Sequence, residues 1–98
     1  MRRKNLKSWI DRKLSDPRFR KKFEEEYQKL SIGEQLVRLR LRAGLTQAQV
    51  AKKAGTTASA ISRYENADYD RYELRTLRRI VSACGGQLRI TMNEQKAA

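Results

Sequence analysis

The chain has 98 residues, 23 of them Lys or Arg and 11 Asp or Glu, which gives a formal net charge of +12. This length allows one small domain with an appendage but not two hydrophobic cores. Because the chain has no histidine and a single cysteine, Cys84, the composition excludes histidine-based acid–base catalysis, zinc sites that need imidazole and an internal disulfide.

The charge balance predicts a polyanionic partner, with nucleic acid as the first choice. No apolar run exceeds about three residues, whereas a membrane-spanning helix needs about 20. The basic start of the chain is not followed by an apolar secretory segment. We therefore expect a cytoplasmic protein that does not engage a membrane and that holds no cofactor and no metal.

Residues 1–30 predict an N-terminal helical extension. Asp16 is a suitable N-cap and Pro17 suits a first helical position, so one helix is expected before this pair and one after it. We expect the aromatic stripe of the second helix to lie in the core, whereas the apolar face of the first could pack on the domain or bind a partner. The apolar residues at helical spacing are Leu6, Trp9, Ile10 and Leu14 in the first helix and Phe19, Phe23, Tyr27 and Leu30 in the second.

Residues 31–86 predict the main domain, in which apolar residues recur with a helical period. The segments with this period are 32–43, 46–54, 57–66 and 74–84. Cys84 falls on the inner face of the last one and is expected to be a small buried hydrophobe. Capping and stop residues delimit the segments, and they are Gly44, Thr46 with Gln49, Gly55, Thr57, and Gly85 with Gly86.

Residues 87–98 begin with a two-residue alternation, typical of a half-buried strand. The alternating apolar residues are Leu88, Ile90 and Met92. No other part of the sequence offers an obvious partner for this edge. Pairing with the same segment of a second subunit would satisfy the edge, so we expect residues 87–98 to serve in homodimerisation.

Two short predicted helices joined by Gly55 and Thr56 carry the functional signal. Gly55 allows the positive φ of a tight turn, and Ala51 is small where the helices must approach. The second helix has short polar side chains near its start and Arg63 further on, with no bulky apolar residue on its outer face. A helix of this kind can insert its N-terminal end into the major groove of DNA.

The residues that carry this signal are Gly44-Leu45-Thr46-Gln47, Val50-Ala51, Gly55 and Ile61-Ser62-Arg63-Tyr64-Glu65-Asn66. Over residues 32–85 the sequence resembles the Xre/Cro-repressor helix-turn-helix family. Together with the Leu14–Phe19 segment, the last helix and the strand, it is similar to HigA-type antitoxins. The resemblance implies an all-α fold: a helix-turn-helix (lambda-repressor-like) five-helix domain with an N-terminal helical extension and a short C-terminal β-strand.

The resemblance also implies roles for individual residues. Arg40 would form a structural ion pair with Glu65. DNA contacts would come from Gln47, Thr57, Ala58, Ser59, Ser62, Arg63 and Asn66.

The function that the resemblance implies is sequence-specific repression, without enzymatic activity, by a homodimer bound to an operator in double-stranded DNA. In the HigA type, the protein is the antitoxin of a type II toxin–antitoxin operon, neutralises a ribonuclease toxin and represses its own operon. One alternative is a free-standing Xre-type regulator without a toxin partner. Another is a small basic endoribonuclease that uses Lys, Arg and Tyr, with Tyr64, Tyr69 and Tyr72 lying near arginines in the sequence.

Overall fold

Six α-helices make up the regular secondary structure of residues 3–28 and 30–95, the part of the chain that the computed structural model describes. Residues 1–2, 29 and 96–98 of the predicted extension and tail lie outside this part, as does the side chain of Leu6. The all-α prediction is confirmed. The helices are α1 (Arg3–Leu14), α2 (Pro17–Gln28), α3 (Ile32–Ala43), α4 (Gln47–Ala54), α5 (Ala58–Tyr64) and α6 (Leu74–Ala83).

Two parts of the predicted fold are wrong. The resemblance implied a five-helix domain, whereas residues 31–86 contain four helices, one in each of the four segments for which the apolar period predicted a helix. The described residues also contain no strand at 88–92. A strand is defined by the hydrogen-bonded ladder it forms with a neighbour, and no described segment pairs with this one, so it has no regular secondary structure.

Capping residues explain where α3 and α4 begin. The Ser31 hydroxyl accepts a hydrogen bond from the Glu34 backbone N–H at 3.2 Å. Thr46 and Gln49 form a capping box, in which each side chain accepts from the other's backbone N–H at 3.0 and 2.8 Å. Such caps satisfy N–H groups that the first helical turn leaves without partners. The predicted capping box is therefore confirmed.

The core lies between α4 and the helices on either side of it, α5 and α6. Val50 and Ile61 are fully buried, and Ala51 is 3% exposed, so the small residue stands where α4 meets its neighbours. Cys84 is buried as predicted, and burial raises the pKa of its thiol. The remaining core side chains are Leu36, Ala54, Tyr64, Leu77, Ile80 and Val81.

Gly33 allows α3 to touch the end of α5. A Cβ atom at this position would lie 2.7 Å from the Glu65 carbonyl oxygen and 2.8 Å from that of Asn66. Both neighbours are backbone atoms, which cannot rotate away as a side chain can. Glycine is thus required for the first turn of α3 to pack against the residues that follow α5.

The N-terminal helices dock on α3. The Tyr27 hydroxyl donates to the Gln35 carbonyl at 2.9 Å, and desolvation raises the pKa of Tyr27 to about 12. Arg42 forms an ion pair with Asp11 at 3.2 Å. The aromatic stripe of α2 is only half-buried, with Phe19 36% exposed. The expectation that this stripe belongs to the core is wrong, because none of its side chains is part of the buried core, and Phe23 and Tyr27 line an open cleft.

The side chains of the C-terminal segment become more exposed along the chain. Leu88 packs against the core, whereas Ile90 is 54% and Met92 91% exposed. Two large apolar side chains are therefore exposed to solvent on a segment without regular secondary structure. None of the described helices combines the length and the apolar content that crossing a membrane requires.

Candidate nucleic-acid interface

The turn between α4 and α5 sets the position of the candidate groove-binding helix. Gly55 ends α4 with φ of 71°, in the left-handed region, and its N–H donates to backbone carbonyls of α4. Thr57 begins α5, since its hydroxyl accepts from the Ala60 N–H at 3.1 Å. A left-handed C-cap followed by a capped N-terminus fixes the direction of the chain at both ends of this turn.

The two faces of α5 differ in exposure and in chemistry. Ala60, Ile61 and Tyr64 are buried, which anchors the helix in the core. Its outer face carries only short side chains and one guanidinium, so DNA could approach the helix backbone closely. The exposed members of this face, all predicted as DNA contacts, are Ala58, Ser59, Ser62 and Arg63.

A bidentate ion pair joins α3 to the end of α5. The Arg40 Nε lies 2.6 Å from Glu65 Oε2, and its Nη2 lies 3.1 Å from Glu65 Oε1. The two side chains are 14% and 6% exposed. Arg40 also donates from Nη1 to the Leu45 carbonyl at 3.1 Å. The structure thus brings together the two residues for which the sequence predicted an ion pair.

Gln47 shares this carboxylate. Its Nε2 donates to Glu65 Oε1 at 3.0 Å, so the carboxylate orients the amide at the first residue of α4. A glutamine amide has two N–H donors and an acceptor oxygen. One N–H is used by Glu65, which leaves the second N–H and Oε1 for a phosphate or a base edge. The bond to Glu65 was missed by the sequence analysis, because the two residues belong to different helices and no local spacing signals it.

Asn66 lies beyond α5, which ends at Tyr64, so the predicted helix 57–66 is two residues too long. The Asn66 Oδ1 accepts from the Asp68 N–H at 2.9 Å, an Asx turn that competes with helix continuation. Asn66 remains exposed. Its amide nitrogen is therefore available for the predicted contact, although from a turn rather than from a helix.

Three tyrosines fasten the segment between α5 and α6. The ring centroids of Tyr64, Tyr69 and Tyr72 lie 4.9–5.2 Å apart. The Tyr72 hydroxyl donates to the Tyr64 carbonyl at 2.8 Å, and the Tyr69 hydroxyl donates to the Arg71 carbonyl at 3.1 Å. The Tyr64 hydroxyl accepts from the Glu73 N–H. The tyrosines considered for ribonuclease chemistry are therefore held by backbone groups.

The described residues hold no cluster of three acidic or cysteine side chains that could bind a metal ion.

Comparisons with known proteins agree with this geometry. A family model described as "Helix-turn-helix domain" matches residues 31–89. A relative from Mycobacterium tuberculosis (strain ATCC 25618 / H37Rv), named "Putative antitoxin HigA2", is 46% identical over 54 residues. The match covers 55% of this chain and 54% of that protein, so the chain aligns with about half of its relative. No solved structure matches the chain. Because the family model covers more than half of the chain, this protein belongs to the Xre-like helix-turn-helix family of DNA-binding domains.

Proposed function

We propose that this protein is a sequence-specific transcriptional repressor that binds its operator as a homodimer and acts as the antitoxin of a type II toxin–antitoxin operon. Helix α5 of each subunit would enter the major groove. Two α5 helices would then contact half-sites about 34–36 Å apart, one turn of the duplex. Flanking Lys and Arg side chains would supply salt-dependent affinity through phosphate contacts.

The observation that carries the DNA-binding part is the outer face of α5. Ser59, Ser62 and Arg63 are exposed side by side while the opposite face is buried. A guanidinium can donate two hydrogen bonds to O6 and N7 of guanine, the most common specific contact in the major groove. Arg63 would therefore discriminate between bases, and the serine hydroxyls would bind phosphates or base edges.

The exposed C-terminal segment supports the homodimer. The exposed Ile90 and Met92 alternate with polar residues in the sequence, and Leu88 packs against the core. An antiparallel pair with the same segment of a second subunit would bury both apolar side chains and satisfy backbone groups. A two-fold axis through this pair would relate two copies of α5.

The antitoxin part rests on the relative named as an antitoxin and on the N-terminal extension. Besides its charged walls, the cleft between α1, α2 and α3 has an apolar lining formed by Leu14, Phe23, Tyr27 and Leu39. A cleft with aromatic and aliphatic walls can accept an apolar anchor of a protein partner. We place the toxin contact here. Without a toxin, the same DNA-binding face would serve a free-standing regulator.

A mobility-shift titration tests DNA binding and specificity. The probes are the duplex directly upstream of the protein's own reading frame and the same duplex with its sequence shuffled. We expect retardation of the first at lower protein concentration. Equal affinity for both duplexes would contradict sequence-specific repression, and no binding to either would contradict the DNA-binding function.

Co-purification with the product of the neighbouring reading frame tests the antitoxin role. We expect a small ribonuclease to copurify with the full chain and to be lost in Phe23→Glu, which places a charge in the apolar lining of the cleft. Arg18→Gln, on the same exposed helix, is the matched control. An operon without a small toxin gene would leave the free-standing regulator as the function.

A further inference from the structure

A second basic surface lies away from α5. It is a groove between the C-terminal end of α4 and the outer face of α6, and we call it the α4–α6 groove. Its lining comprises four cationic side chains and a floor of small residues, with no carboxylate. The cations are Lys53, Arg75, Arg78 and Arg79, and the small residues are Ala54, Gly55, Ser82 and Ala83.

The arginines of α6 form a stripe along one face. Arg75, Arg78, Arg79 and Ser82 are exposed, while Leu77 and Ile80 face the core. At a rise of 1.5 Å per residue, the arginines of the stripe extend over roughly 6 Å along the helix axis. None of the four cations of the groove forms an ion pair with a carboxylate in the part of the chain that the structure describes. Among the described residues, this positive charge is therefore not used in an ion pair and can meet an external anion.

The groove is separate from the face of α5 that would enter the major groove. Helix α4 packs against both α5 and α6, which have little direct contact with each other. No residue of α5 lines the α4–α6 groove, so a ligand contact in the groove would be separate from the contacts of Ser62 and Arg63.

We infer that the α4–α6 groove binds the sugar-phosphate backbone of DNA as a second contact beyond the one made by α5. Guanidinium forks match phosphate oxygens and form charge-assisted, bidentate hydrogen bonds. The small residues of the floor leave room for a backbone to approach. The duplex presents one negative charge per about 1.7 Å of its axis, which provides several phosphates along the length of the stripe.

The lining favours nucleic acid over an acidic protein. Protein–protein interfaces depend on aromatic or large aliphatic anchors in desolvated pockets, and the α4–α6 groove offers only alanine as an apolar surface. The cleft beside α2, with Phe23 and Leu39 in its walls, has the anchors that this groove lacks. The inference rests on the proposed DNA-binding function, but it can fail independently of it.

The test is a salt titration of DNA affinity by fluorescence anisotropy, with a duplex of mixed sequence as the probe. The variant is Arg78→Gln with Arg79→Gln, and the matched control is Lys21→Gln with Lys22→Gln, which removes the same charge from exposed positions on α2. If both arginines bind phosphates, the slope of log K against log salt falls by about 1.8. Between 1 M and 0.1 M salt, the affinity of the wild type should therefore rise by about 60-fold more than the affinity of the variant. We expect a much smaller change in the control.

Further arms separate the possible outcomes. Arg78→Lys with Arg79→Lys keeps the charge and should restore most of the salt slope, and thermal unfolding of each variant shows whether the fold is retained. Equal salt slopes for the glutamine variant and its control would overturn the inference. The proposed DNA-binding function would still stand in that case, provided that the wild-type chain binds the duplex. Unchanged DNA affinity with lost binding to poly-glutamate would also overturn it, in favour of an acidic protein partner. Failure of the wild-type chain to bind any duplex would contradict both.

Discussion

Replacement of Glu65 by glutamine should strongly destabilise the domain. The Glu65 side chain is 6% exposed and Arg40 14% exposed, so Arg40 would keep a buried charge without its partner. Removing one member of a buried ion pair costs about 3–5 kcal/mol. Since Arg40 retains some solvent and its bond to the Leu45 carbonyl, we expect the lower end, about 3 kcal/mol. This is a large part of the unfolding free energy of about 5–15 kcal/mol that is usual for a domain.

Urea unfolding followed by far-UV circular dichroism measures this loss. With a dependence of about 1–3 kcal/mol per molar urea, the midpoint should fall by about 1–3 M. Glu94→Gln, an exposed carboxylate on the C-terminal segment, is the control and should unfold like the wild type. A loss below about 1 kcal/mol, the range of exposed ion pairs, would refute the reasoning because it would mean that the pair is solvated.

The double variant Arg40→Met with Glu65→Leu separates stability from DNA binding. Replacing both charges by apolar side chains of similar size is often neutral or stabilising, so this variant should regain most of the lost stability. Gln47 would still lack the acceptor that orients its amide. We therefore expect a folded protein with weakened DNA affinity. Wild-type affinity in the double variant would mean that Glu65 does not position Gln47 for DNA.

The DNA contact, the dimer and the N-terminal extension each give one measurable outcome. Arg63→Ala should cost about 1–3 kcal/mol of binding free energy and relax specificity at one base position; an equal loss on specific and random duplexes would contradict a base contact. Ile90→Lys with Met92→Lys should turn a dimer into a monomer in sedimentation equilibrium, and an unchanged mass would place the dimer interface elsewhere. The folded-state pKa of Tyr27, about 12, lies above its ordinary value of 10.0, so its stabilisation is complete below pH 10 and is lost as the pH rises towards 12. Alkaline unfolding should show this loss in the wild type and not in Tyr27→Phe, and identical pH curves would contradict it.

Local chemistry made the helices of the main domain predictable. Ser, Thr and Gly at the caps fix helix ends through hydrogen bonds that span only a few residues, and the Thr46–Gln49 box and the turn at Gly55 are visible in the sequence alone. The Arg40–Glu65 pair, 25 residues apart, followed only from the resemblance to a family. No spacing rule reaches that far along the chain.

The features that the sequence did not predict depend on neighbours that are distant in the chain. Whether residues 88–92 form a strand depends on a partner, and the period of the residues cannot supply one. The stripe of α2 has the period of a buried face, but the coverage it receives depends on where α1 and α3 lie. The arginine stripe of α6 could be recognised by its spacing, whereas its position opposite Lys53 required the packing of α4 on α6.

The buried thiol at the end of α6 gives this protein an internal reporter of its own opening. Cys84 is the only cysteine of the chain, and its burial both blocks access and disfavours the reactive thiolate. A thiol reagent can therefore modify it only when the core around the end of α6 opens. Where reclosing is faster than modification, the labelling rate measures the population of the open state. Binding of DNA should slow labelling in proportion to the occupancy of the site. The labelling rate of one native side chain can therefore report ligand binding without any attached dye.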